Sequence, residues 1–162
     1  MDHPQHLSAL QVDITTIFFA LEAAQGYLVV GGAALLARDL ITPPTADLDL
    51  FTATPTTSVT PARDTFRQAL KEAGYGIASS RSHPPSAGWS SLRRSRRPSS
   101  ISLSTPRQTS RPTITTLGPT MAPLELAGRK LLALFSRAEA RDFADVYVLA
   151  QHFSKHTLIE EA

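Results

Sequence analysis

The chain contains no cysteine, which excludes disulfides and thiolate metal sites. No apolar run approaches the roughly 20 residues that span a bilayer. The opening residues, Met1-Asp2-His3-Pro4-Gln5-His6, lack a basic region leading into a hydrophobic core. A cytoplasmic protein with no membrane segment is the expectation. Between residues 73 and 124 there is no acidic residue and no lysine, although seven arginines fall there. The overall charge of +2 therefore conceals a net acidic remainder. No internal repeat, Gly-x-Ser-x-Gly elbow or Walker-type loop occurs. What remains is a 162-residue chain with 42% hydrophobic residues, enough for one domain or a core with a small appendage.

The most informative stretch is 27–51. Tyr27-Leu28-Val29-Val30 is continuous and apolar, as in a central strand. It enters Gly31-Gly32, and Ala33–Leu40 reads as a helix after them. Glycines there allow a phosphate to approach the backbone. A turn with Pro43 and Pro44 leads into Asp47-Leu48-Asp49-Leu50-Phe51. On a strand, alternate side chains share a face. Asp47 and Asp49 therefore point one way and Leu48 and Leu50 the other, towards a core. Two carboxylates one pleat apart can share a divalent cation such as Mg2+, which prefers hard oxygen ligands.

Before this stretch, Leu7, Leu10, Ile14, Ile17, Phe18 and Leu21 recur at helical steps and predict an amphipathic helix over about 5–24, ended by Gly26. After it, 52–60 reads as a loop. Thr60-Pro61 then opens a helix whose inward face is Phe66, Leu70 and Ala73. Residues 79–112 hold twelve serines and the seven arginines, with no sustained period, and read as a basic disordered loop. Two further readings apply to that stretch. One is an electrostatic arm for RNA or DNA over 81–111, with Trp89 available for stacking. The other is a slipped reading frame over about 80–112: with GC-rich codons, a one-base displacement re-reads 88–92 as Leu-Val-Val-Ala and 97–105 as a strand containing carboxylates.

Pattern returns at Pro119. Pro123 and Glu125 open a helix whose buried side is expected to be Leu124, Leu131, Leu134 and Phe135. A second helix near Glu139 carries Phe143, Val146, Tyr147, Ala150 and Phe153 as its apolar stripe. Asp142 and Asp145, three apart, share a face. His152 and His156 have the spacing of a helical metal pair, but no Glu follows His152 and no third ligand is evident, so two solvated histidines are expected.

A double glycine, a helix and then Asp-x-Asp on the next strand resembles the signature of the nucleotidyltransferase superfamily. Adding Lys130-Leu131-Leu132-Ala133 and Arg141-Asp142-Phe143-Ala144-Asp145, the chain is most similar to the AbiEii-type toxins of bacterial (type IV) toxin–antitoxin systems. The resemblance implies an α/β fold, with a small mixed β-sheet flanked by helices over 1–120 and a C-terminal helical segment over 121–162, truncated relative to its relatives. It implies Asp47 and Asp49 as Mg2+ ligands and Gly31, Gly32 and Lys130 as nucleotide-binding residues. Lys130 is the implied catalytic lysine and Asp142, with Asp145 as alternative, the implied functional aspartate. The implied reaction moves a nucleoside monophosphate from an NTP to an acceptor hydroxyl such as a tRNA 3′ end, with a cognate antitoxin encoded alongside. Three departures stand out. Ala33 lacks the hydroxyl found after the glycines in the family, Pro43 replaces a frequent arginine, and a third strand carboxylate is missing. A degenerate, non-catalytic remnant and a basic nucleic-acid-binding module are the rival expectations.

Overall fold

Two antiparallel strands, β1 (Tyr27–Val30) and β2 (Leu48–Thr52), form the centre of a six-stranded mixed sheet. The structure is a computed structural model that describes residues 7–41, 45–52, 59–77, 87–90, 92–93, 100–104 and 110–162. The other strands are β3 (Gly76–Ile77), β4 (Ala87–Ser90), β5 (Leu92–Arg93), β6 (Ser100–Ser104), β7 (Thr113–Thr115) and β8 (Gly118–Thr120). The helices are α1 (Ala9–Phe19), α2 (Gly31–Leu36), α3 (Val59–Glu72), α4 (Pro123–Arg137), α5 (Ala140–His152) and α6 (Lys155–Glu161). The sheet runs β4-β6-β2-β1-β8-β7, and β3 and β5 form a separate ladder. This is the expected α/β architecture of a mixed sheet flanked by helices.

β1 is apolar throughout because it is buried within the sheet. β2 alternates: Leu48 and Leu50 are fully buried, whereas Asp49 is only half-buried. The strand begins at Leu48, so Asp47 lies just before the ladder. On its far side β2 pairs in parallel with β6, Asp49 opposite Ser102. Ile101 and Leu103 of β6 are buried two residues apart, a period of two that the surrounding serines and arginines obscure. Thus β4, β5 and β6 fall inside the stretch read as an irregular basic loop. Residues 79–86, 91, 94–99 and 105–109 of that stretch, and Pro43, lie outside the described residues.

α1 packs against α3 and β8. It is shorter than the expected 5–24, because Leu21 is extended and a 3-10 turn at Glu22–Ala24 follows. Ser8 and Gln11 form its capping box: each side chain accepts the other's backbone N–H. Phe18 packs edge-on against Tyr27 and Phe66, with ring centroids 5.3 and 4.7 Å away. This contact joins α1, β1 and α3 in one core.

The C-terminal helices differ from expectation in which face they bury. On α4 the buried residues are Glu125, Leu126, Ala127 and Gly128, and Phe135 is 80% exposed. On α5 they are Asp142, Asp145 and Leu149, while Phe143 and Tyr147 are 56% and 72% exposed. Phe143 and Tyr147 face outward because the inward face of α5 is taken by carboxylates paired to α4, whereas Ala150 and Phe153 of the expected stripe pack against the core. α5 stops at His152, Phe153 is extended, and Ser154 caps α6 by accepting the Thr157 N–H. His152 and His156 are therefore not on one helix, and His156 pairs with Glu160 at 3.1 Å instead.

Candidate active site

The site starts where β1 turns into α2. Gly31 sits at φ +69°, a left-handed conformation that glycine adopts without strain. α2 starts at the two glycines themselves rather than at Ala33. The β1–β2 register sets Val30 opposite Asp49, which delivers the Asp49 carboxylate to the turn. A Cβ on Gly31 would overlap an Asp49 carboxylate oxygen, and one on Gly32 would lie 3.0 Å from Arg141 Nη2 and 3.2 Å from Thr45 Cγ2. Both glycines therefore make room for the site's own side chains.

Asp47 is exposed and its backbone is tied down locally. Its N–H donates to Thr45 Oγ1 at 3.3 Å, and its carbonyl accepts from the Gln11 side chain, also at 3.3 Å. Burial pushes the Asp49 carboxyl up to about 6, and the neighbouring Asp47 charge adds to this. Arg137, Lys130 and Arg141 pull the other way.

The basic half of the site comes from α4 and α5. Lys130 Nζ lies 2.9 Å from Asp142 Oδ1 and 2.7 Å from Asp145 Oδ2. Both aspartates are fully buried. Arg137 grips Asp142 with a fork, Nε to Oδ2 at 2.8 Å and Nη2 to Oδ1 at 3.0 Å. These donors hold the Asp142 carboxyl well below the usual carboxylate range. Arg141 stands 3.8 Å from Asp145 and carries two buried donors, Nε and Nη2, with no hydrogen-bond partner.

These groups line one cleft with two lobes. A polar chamber of about 270 Å³ is bounded by Gly32, Thr45, Asp47, Asp49 and Lys130, together with Arg137, Glu139 and Arg141. An apolar lobe of about 250 Å³ adjoins it, walled by Val30, Leu35, Phe51, Leu126 and Ala133. Arg129 lies over the Phe51 ring there, 5.0 Å from its centroid, and pairs with Glu125 at 3.0 Å. The lobes share Gly32, Asp49, Lys130 and Arg137. No group of three or more His, Asp or Glu side chains among the described residues is arranged to hold a metal ion.

The family described as Nucleotidyl transferase AbiEii toxin, Type IV TA system, matches residues 17–162. The chain belongs to the AbiEii family. This is a family of nucleotidyltransferase toxins, and its toxin–antitoxin setting implies an antitoxin partner. No curated protein matches the AbiEii chain. Among solved structures it is similar in fold to JHP933 from Helicobacter pylori, with a TM-score of 0.59 and 18% identity over 96% of this chain and 73% of that one. It is also similar to an antigenic nucleotidyltransferase-like protein from Paracoccidioides brasiliensis, with a TM-score of 0.54 and 17% identity over 96% and 87% of the two chains. No helix among the described residues is long and apolar enough to cross a membrane.

Within this AbiEii chain, Gly31, Gly32, Asp47, Asp49 and Lys130 meet at one cleft, with Asp142 and Asp145 directly behind Lys130. Ala33 is buried in the core and lines neither lobe. β6 contains no acidic residue, so it brings no carboxylate into register with Asp49. Sequence reasoning missed Arg137, Thr45, Glu139 and Gln11. Only the Ser8-to-Gln11 spacing of a capping box could have drawn attention to one of them.

Proposed function

We propose that this AbiEii chain transfers a nucleoside monophosphate from an NTP to an acceptor hydroxyl, such as a tRNA 3′ end. The acceptor oxygen forms a bond to the α-phosphorus as the bond to pyrophosphate breaks. The reading rests on the two-lobed cleft. A charged chamber opening beside an apolar lobe matches a molecule with a phosphate chain at one end and a flat base at the other.

The charge balance also supports Mg2+ as cofactor. Asp47, Asp49 and Glu139 line the chamber against Lys130, Arg137 and Arg141, and the first two of these cations are already engaged by Asp142 and Asp145. A triphosphate entering such a chamber needs added positive charge. Asp47 and Asp49 are the residues that would hold it, as hard oxygen donors beside the glycine turn. Mg2+ bound there supplies charge neutralisation on the phosphates. Lys130 contributes a charge of fixed direction, since two buried carboxylates orient it, and Asp142 in turn is oriented by the Arg137 fork. Gly31 and Gly32 keep the mouth between the lobes free of side chains of their own. The N-terminal and C-terminal parts thus supply opposite halves of one site.

Purified protein incubated with Mg2+, labelled NTPs and tRNA tests this reading. Labelled RNA that disappears in Asp47→Ala supports it. RNA retention that salt weakens and Asp47→Ala leaves unchanged would instead support a nucleic-acid-binding module built on 81–111. Folded protein that transfers no label and binds no NTP would support the non-catalytic remnant.

A further inference from the structure

We infer that Gln11 is a positioning residue that sets the place of Asp47. The inference rests on the proposed role of Asp47 as a cation ligand. Gln11 is fully buried near the start of α1, and its carboxamide is fully used. Oε1 accepts from the Ser8 N–H at 3.0 Å and the Ser8 hydroxyl at 3.1 Å. Nε2 donates to the Thr45 carbonyl at 2.9 Å and the Asp47 carbonyl at 3.3 Å. The orientation of the amide is fixed by its partners, because a backbone N–H can only donate and carbonyls can only accept.

Gln11 reaches Asp47 at its backbone. Asp47 precedes β2, so the sheet ladder that holds Asp49 opposite Val30 does not extend to it. The Thr45 hydroxyl holds its N–H and Gln11 holds its carbonyl. Two carboxylates act together on one cation only if their separation is kept, and an error of about an ångström in a catalytic geometry has large effects. Gln11 joins the cap of a helix packed on the core to the segment that places Asp47. It lies outside the span 17–162 that matches the family.

The test is a double-mutant cycle read by Mn2+ binding in solution, with hydrogen exchange at Asp47 and Leu48 as a second readout. Gln11→Leu removes both donors. Gln11→Glu preserves the acceptor for Ser8 and withdraws both donors when ionised, and provides the cycle if the first variant does not fold. The expected result is Mn2+ affinity at least tenfold weaker than wild type and exchange at least tenfold faster. In an Asp47→Asn background the same substitution should change Mn2+ affinity less than twofold. Unchanged affinity, or an equal loss in both backgrounds, overturns the inference, since the latter is what a purely structural residue would give. If wild type binds Mn2+ no more tightly than Asp47→Asn, the metal pair itself is wrong and this inference fails with it. That outcome shows in the parental proteins before Gln11 is changed.

Discussion

The carboxylate of Asp49 occupies the space into which a side chain on Gly31 would project. Gly31→Ala therefore carries two penalties. The left-handed backbone at φ +69° costs a non-glycine residue about 1–2 kcal/mol, and the new methyl group displaces the carboxylate. Urea unfolding should show at least that loss of stability, and Mn2+ affinity should fall at least tenfold. A variant that binds Mn2+ normally would show that Asp49 acts from another position.

The raised carboxyl of Asp49 gives a pH prediction with a definite sign. Its folded-state value of about 6 lies above the ordinary 3.8, so folding favours the neutral form. That contribution is fully present below the ordinary value and is lost as pH rises through about 6. In metal-free protein, Asp49→Asn removes the dependence. Its melting temperature should gain on wild type between pH 4 and pH 6 and then hold a constant lead. Asp142 has the opposite sign: its lowered value gives stability above the ordinary carboxylate range that is lost as pH falls into strong acid.

Lys130 has a structural duty as well as a proposed chemical one. Removing its charge leaves Asp142 supported by Arg137, and leaves Asp145 with Arg141 at 3.8 Å. Breaking a buried pair typically costs about 3–5 kcal/mol, and Lys130→Met should fall in that range by denaturant melts. Lys130→Arg retains the charge and should recover most of the stability, while nucleotide transfer stays reduced at least tenfold. Equal recovery of both properties would separate Lys130 from the chemistry.

β6 offers a gain-of-function experiment. Ser102 is the register partner of Asp49, so Ser102→Asp sets an acidic residue opposite Asp49 in the ladder. Mn2+ affinity should rise by about tenfold, and the metal-free protein should become less stable because a third like charge crowds the site. Titration with Mn2+ and a melt in chelator check the two effects together.

The sequence made the central elements legible because their signals are local. Tyr27–Val30, the glycine pair and the alternation of Leu48, Asp49 and Leu50 each follow from a few neighbouring residues. The motif around Lys130 and Asp142 was legible by resemblance, yet Phe135, Phe143 and Tyr147 were placed on the wrong faces of α4 and α5. Hydropathy places Phe143 and Tyr147 inside, but it cannot register that Asp142 and Asp145 become stable there once Lys130 and Arg137 arrive from another helix. Arg137 was invisible for the same reason, since its importance lies in a fork across a turn. Ile101 and Leu103 give β6 a correct alternation, drowned by the serines and arginines around it. Gln11 looks like an ordinary polar position of an amphipathic helix until the backbone at Thr45 and Asp47 is brought against it.

The two halves of the cleft also emerge at different times. Asp47 and Asp49 leave the ribosome well before the cations that balance them, and β2 waits for β6 to arrive as its parallel neighbour. A nascent chain released early presents a cluster of acid on an open sheet edge, with nothing opposite. The pocket is thus completed only in the last third of translation, when α4 and α5 bring Lys130, Arg137 and Arg141 to it and add Leu126, Ala127 and Leu149 to the core.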